Sequence, residues 1–88
     1  MKQKNTKAGR TSWYGRGYAK GSVFARHEAD YDELAAIYRA GDIPANWDLY
    51  RAQMLNAHLK EKGFDFKAYA AGFARACIEF FEKISASP

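Results

Sequence analysis

Cysteine, proline and long apolar runs are all scarce in this sequence. Its one cysteine, Cys77, excludes a disulfide framework and any zinc site built from cysteines. No run reaches the roughly 20 apolar residues that a membrane-spanning helix needs. No segment alternates with period two through β-branched residues, so no sheet is expected. Acid is missing from the first 26 residues, which carry Lys2, Lys4, Lys7, Arg10, Arg16, Lys20 and Arg26. All ten acids and the other seven bases lie in residues 27 to 88, which makes that part −3. A basic stretch joined to an acidic body reads as an interaction arm on a folded domain.

What is abundant is aromatic surface. Of 88 residues, 14 are Phe, Trp or Tyr. A chain of this length buries only about 60% of its unfolded surface, so the core is thin and aromatic rings must fill it. The length excludes a multidomain enzyme, a dinucleotide-binding α/β domain and a repeat array.

Residues 1 to 12 are polar without an apolar period and are expected to be a disordered basic tail. No apolar stretch follows the lysines and no amphipathic pattern runs through them. Neither a secretory signal nor a mitochondrial presequence is expected, and the location is expected to be cytoplasmic. Residues 13 to 88 then form one helical domain.

In residues 13 to 26, Tyr14, Tyr18 and Ala25 share a helical face with Gly21 between them. Gly15, Gly17 and Gly21 oppose a helix, since each interior glycine costs about 1 kcal/mol against alanine. A helix over 30 to 40 is clearer. Asp30 and Glu33 have capping-box spacing, Tyr31, Leu34, Ala35 and Tyr38 make a stripe, and Gly41 stops it. Phe24, Tyr31 and Tyr38 are seven apart, so residues 13 to 40 could form one helix broken near 27 to 30.

Asp42-Ile43-Pro44 predicts a turn and a helix start, with a helix from about 45 to 62. Its apolar side is Trp47, Tyr50, Met54, Leu55 and His58, and Gly63 ends it. Asp65 caps a last helix from 66 to 84. There Phe66, Tyr69, Phe73, Cys77, Phe80 and Ile84 repeat every three or four residues, widened by Ala70, Ala74 and Phe81. The fold class is all-α, a small bundle of three or four helices with a basic, flexible N-terminal arm. A faint echo relates Tyr18-Ala19-Lys20-Gly21 to Tyr69-Ala70-Ala71-Gly72.

Catalytic chemistry finds little support. His27, His58 and Cys77 lie one per element, without a partner at metal-ligand spacing, so neither a metal nor another cofactor is expected. His58 and Glu61 share a helix face but lack the further carboxylates of a di-metal site. Glu28, Asp30, Asp32 and Glu33 sit at a helix start, where the helix dipole favours negative charge. Glu79 and Glu82 belong to a solvated face. Cys77, on the apolar stripe, reads as a buried, inert thiol. The string Gly15-Arg16-Gly17-Tyr18-Ala19-Lys20-Gly21 has one residue too many for the dinucleotide fingerprint and follows no strand. The protein is therefore not expected to be an enzyme.

Binding fits better. Lys7, Arg10, Arg16, Lys20 and Arg26 could neutralise phosphates or an acidic partner surface, while Trp13, Tyr14 and Tyr18 could stack on unpaired bases. Stacking favours RNA or single strands as the nucleic acid. The string Arg16-Gly17-Tyr18-x-x-Gly21 after a basic stretch resembles the start of the ribosome modulation factors. Tyr69-x-x-Gly72-Phe73 is similar to their later aromatic-x-x-Gly-aromatic step. The likeness covers about a dozen residues. The spacing between the two pieces differs, and the Cys-Pro-Tyr between them is missing. It implies an RNA- or ribosome-associated role.

Two readings stand side by side. In the first, the protein is a small non-enzymatic regulator whose basic arm contacts nucleic acid, with a homodimer among its possible forms. In the second, it is a phage- or plasmid-type accessory protein of the anti-CRISPR or anti-restriction kind. It would then inhibit or adapt a host machine by docking on protein, with Trp47, Tyr50 and Phe81 as interface anchors.

Overall fold

The computed structural model describes residues 12 to 86. Among the described residues four α-helices follow one another: α1 (Trp13–Val23), α2 (Tyr31–Ala40), α3 (Asp48–His58) and α4 (Phe66–Ser85). The described residues contain no strand. The disordered tail expected for residues 1 to 12, with Lys7 and Arg10, lies outside the described residues but for Ser12.

Ser12 starts α1, its side-chain oxygen accepting from the Gly15 amide at 2.8 Å. Such a cap satisfies one of the amides left unpaired at a helix start. The helix widens at its end into a five-residue π-helical stretch, Phe24–Glu28, closed by Ala29 N–H to Phe24 O at 2.8 Å. The wider turn keeps both Phe24 and Ala25 in the core. The break expected near 27 to 30 is present, because Ala29 and Asp30 both take extended backbone.

Both halves of the α2 capping box form: Glu33 N–H to Asp30 Oδ1 at 2.8 Å, and Asp30 N–H to Glu33 Oε1 at 3.0 Å. Gly41, at φ 73°, closes the helix by donating to Ile37 O at 2.8 Å. Leu34, Ala35 and Ile37 are buried. Tyr31 and Tyr38, expected on the buried stripe, lie at its edge and flank Phe81, with ring centroids 5.3 and 4.9 Å away.

The next helix is shorter than expected at both ends. Residues 44 to 47 form a turn, Trp47 N–H to Pro44 O at 3.1 Å, so α3 begins at Asp48. At the other end the chain turns tightly, with Glu61 N–H bonded to His58 O at 2.9 Å and Phe64 N–H to Glu61 O at 3.2 Å. Met54 is the one buried residue of α3. Leu55, expected on the inner side, is 39% exposed because the Tyr50–Met54 line, not the Leu55 line, faces the core.

The fold is centred on α1 against α4. Trp13 meets Tyr69, Gly17 meets Tyr69, and Gly21 meets Phe73 and Cys77, so both helices advance in the same direction. They touch backbone to backbone. A Cβ at Gly17 would sit 2.7 Å from the Tyr69 carbonyl carbon and closer still to its oxygen. One at Gly21 would sit 2.8 Å from Phe73 Cα, and one at Gly72 would run into the Tyr14 carbonyl. Hydrogen alone fits at these three places, which suits Cα–H···O contacts between helices. The opposition of glycine to helix formation is overridden here by packing that no other residue permits.

The crossing also sets a register between the two helices. Gly17 abuts the Tyr69 carbonyl and Gly72 abuts the Tyr14 carbonyl, a reciprocal pair. Since 69 − 14 and 72 − 17 are both 55, the pair relates residues 14 to 23 to 69 to 78, where Tyr14/Tyr69, Gly17/Gly72 and Ala19/Ala74 are identical. The echo between 18 to 21 and 69 to 72 is thus four residues out of the register the structure uses. Below the crossing, Phe73, Ile37 and Cys77 are the largest fully buried side chains, with Phe24, Leu34, Ile43, Met54 and Tyr69 around them.

Candidate nucleic-acid interface

Of the expected site residues, Trp13, Tyr14, Arg16, Tyr18 and Lys20 ride on α1 and Arg26 on its π-helical end. The inner face of α1 is occupied by α4, so they can act only from its outer side. Arg16 and Lys20 are one turn apart and line one groove with Tyr50, Met54, His58 and Tyr69, of about 530 Å³. Glu28 and Gln53 line it as well. Arg26 lines a different groove, of about 300 Å³, with Ser22, Phe80 and Lys83.

Arg16 is tied down. Its Nη1 donates to Glu61 Oε1 at 3.0 Å, and its guanidinium lies 4.3 Å from the Trp13 ring centroid. Glu61 Oε2 in turn is 2.7 Å from His58 Nδ1. The His58 contact, then that of Arg16, holds the Glu61 carboxyl below the usual carboxylate range. A latch therefore fastens the turn after α3 onto α1. Arg16 sets its shape as well as lending charge.

Trp13, expected to stack on a base, is instead a packing residue. Its ring lies 4.7 Å from Phe64, 5.4 Å from His58 and 6.4 Å from Tyr69. Tyr18 is also engaged, its hydroxyl donating to Glu79. That bond, followed by burial, raises the Tyr18 hydroxyl above its ordinary value, and the same bond lowers Glu79. Tyr14 keeps 44% of its surface exposed and is the α1 aromatic left for stacking.

The expected protein anchors have partners within the chain. Tyr50 packs against Phe24 at 5.5 Å and Phe73 at 5.9 Å, and burial pushes its hydroxyl well up. Trp47 stands edge-on to Tyr50 at 5.9 Å and stays half-buried. These two line a third groove, about 400 Å³, together with Glu33 and Asp48. Phe81 is half-buried between Tyr31 and Tyr38.

Sequence reasoning missed Lys83 beside Arg26 and Tyr69 beneath Arg16 and Lys20. Both are more than forty residues from their neighbours in the chain, so spacing alone could not group them. Among the described residues no three His, Cys, Asp or Glu side chains are grouped to hold a metal ion. No described helix is long and apolar enough to cross a membrane. Set against known proteins, the chain matches no family model, no curated protein and no solved structure. The glycines behind its likeness to the ribosome modulation factors are the crossing points of α1 and α4.

Proposed function

We propose that this is a small non-enzymatic protein whose basic N-terminal region binds nucleic acid, with RNA or single strands preferred. One observation carries this reading. Lys20 on α1 and Arg26 on its π-helical end are both exposed, neither has an ion-pair partner among the described residues, and residues 1 to 27 hold no acid. Phosphates attract such cations strongly because binding releases condensed counterions. Tyr14 supplies a ring for an unstacked base. Lys7 and Arg10 extend the same charge into the preceding residues. Of the three expected stacking residues, Trp13, Tyr14 and Tyr18, the reading keeps Tyr14, since contacts within the chain engage the other two.

Anisotropy of labelled single-stranded RNA, single-stranded DNA and duplex DNA tests it, from about 50 to 300 mM salt. A chain starting at Glu28 would lack the helix that α4 packs on, so substitution is the cleaner probe. Lys20→Glu with Arg26→Glu should weaken binding at least tenfold. On single strands it should also flatten the log–log salt slope by about 0.7 for each phosphate that is no longer neutralised. Binding indifferent to salt and to both substitutions refutes the reading and favours docking on a host protein instead.

A further inference from the structure

Four leucines occur in this chain, and only Leu34 is buried. The other three all belong to the α3 region and point outward: Leu49 is 74%, Leu55 39% and Leu59 60% exposed. At 100° per residue, Leu49, Ala52, Leu55 and Leu59 fall within about a third of the helix circumference, opposite Met54 and Tyr50. Helix α3 thus has two apolar faces, and this fold covers one of them. A soluble monomer seldom concentrates its aliphatic side chains on one exposed stripe.

We infer that this stripe is a self-association surface whose partner is a second copy of the same chain, the two α3 helices lying antiparallel across a two-fold axis. Charge complementarity singles out this partner. Asp48 stands at the start of the stripe, and the turn that ends it carries Lys60 and Lys62, all three exposed. An antiparallel pair brings Asp48 of each copy toward the lysines of the other, twice over. A two-fold interface is isologous, so one self-complementary patch suffices. The pairing also sets Leu59 of the second copy beside Leu49, which lines the 400 Å³ groove with Trp47 and Tyr50. That groove is the hole and Leu59 the knob. Leu55 and Ala52, near the middle, meet their own counterparts.

The contact is short. An 11-residue helix spans about 16 Å, so the buried area falls at the low end of specific interfaces. The association is therefore reversible and in the micromolar range, with monomer and dimer exchanging. The inference is independent of nucleic-acid binding, because α3 and the outer side of α1 present different residues.

Sedimentation velocity of the full chain over about 1 to 500 μM tests it. The expected result is a concentration-dependent monomer–dimer equilibrium. Leu49→Glu with Leu59→Glu should weaken it at least tenfold, since each copy would bring two carboxylates into the seam and set them against those of the other copy. Helical content and low-concentration melting should stay unchanged because both side chains are already exposed. A second arm avoids the core altogether. Asp48→Lys should weaken self-association, and mixing it with Lys60→Asp, Lys62→Asp protein should restore a mixed dimer. A wild-type chain that is monomeric across the whole range overturns the inference. So does a leucine variant that dimerises as the wild type does, or a charge-swapped mixture that fails to pair.

Discussion

Replacing Gly17 with alanine adds one methyl group at the tightest place in the molecule. Its carbon would lie 2.7 Å from the Tyr69 carbonyl carbon and 2.9 Å from Tyr69 Cα. Carbon atoms settle at about 3.5–4.0 Å, so α1 and α4 must part locally by roughly 1 Å. The obstruction is helix backbone, which cannot rotate aside as a side chain would. Parting also opens the reciprocal approach of Gly72 to Tyr14 and that of Gly21 to Phe73 beside it. Alanine helps in one respect, gaining about 1 kcal/mol of helix propensity. Overpacking a well-filled core costs about 1–3 kcal/mol, and rigid backbone on both sides puts this site at or above the upper end. The net expectation is a loss of about 2 kcal/mol or more. A chain of 88 residues has roughly 4–13 kcal/mol in total. Urea unfolding followed by circular dichroism reads the loss as a midpoint lowered by about 1 M, with the slope unchanged. Gly41→Ala separates steric from conformational cost. Gly41 has φ 73° and nothing within 4 Å of its would-be Cβ, so only the left-handed backbone opposes alanine, by about 1–2 kcal/mol. If Gly17→Ala is neutral or stabilising, propensity has won and the account of the crossing is wrong.

Three further outcomes follow from the core and the latch. Phe73→Ala should cost about 3–5 kcal/mol, because Phe73 is fully buried against Phe24 and Tyr50; a melting curve superposable on the wild type would contradict its place in the core. Cys77, with its thiol pushed up to about 12 by burial, should resist a thiol reagent at pH 8 until the chain is denatured, and prompt labelling of native protein would refute that burial. The Glu61 carboxyl is lowered in the folded state, so its stabilisation is present above the unfolded carboxylate value and fades as pH falls through the folded one. Glu61→Gln should therefore melt below wild type at pH 7 and converge with it below about pH 4; a gap independent of pH would mean the latch does not act through charge.

Local chemistry was readable from sequence where one residue type answers one need. Asp30 and Glu33 cap α2, Gly41 closes it, Asp65 caps α4 through the Ala68 amide, and the four-residue rhythm of Tyr69, Phe73 and Cys77 gives the inner face of α4. What was not readable depended on partners distant in sequence. Gly17 and Gly21 spoke against a helix until Tyr69 and Phe73 arrived to fill the space they leave. Trp13 looked like an exposed ring among bases, yet Phe64 and His58, some fifty residues away, enclose it. Leu55 could not be assigned a face from spacing alone, because α3 carries apolar residues on two sides. For the candidate interface, charge segregation was visible at once, but which bases stay unpaired was not. Only the fold shows Arg16 bound to Glu61 and Lys20 exposed.

The parallel crossing also sets an order of events. Helix α1 finds its partner only after α4 has been made, more than forty residues later, although most helical proteins of this size gather their contacts locally. Long-range closure of this kind slows folding. Until it happens, Tyr14, Tyr18 and the glycines between them have nothing to pack on. A ribosome making this chain therefore holds an unfinished α1, basic and aromatic, in the open until the final helix emerges. A nick between Tyr69 and Cys77 would cut through that crossing.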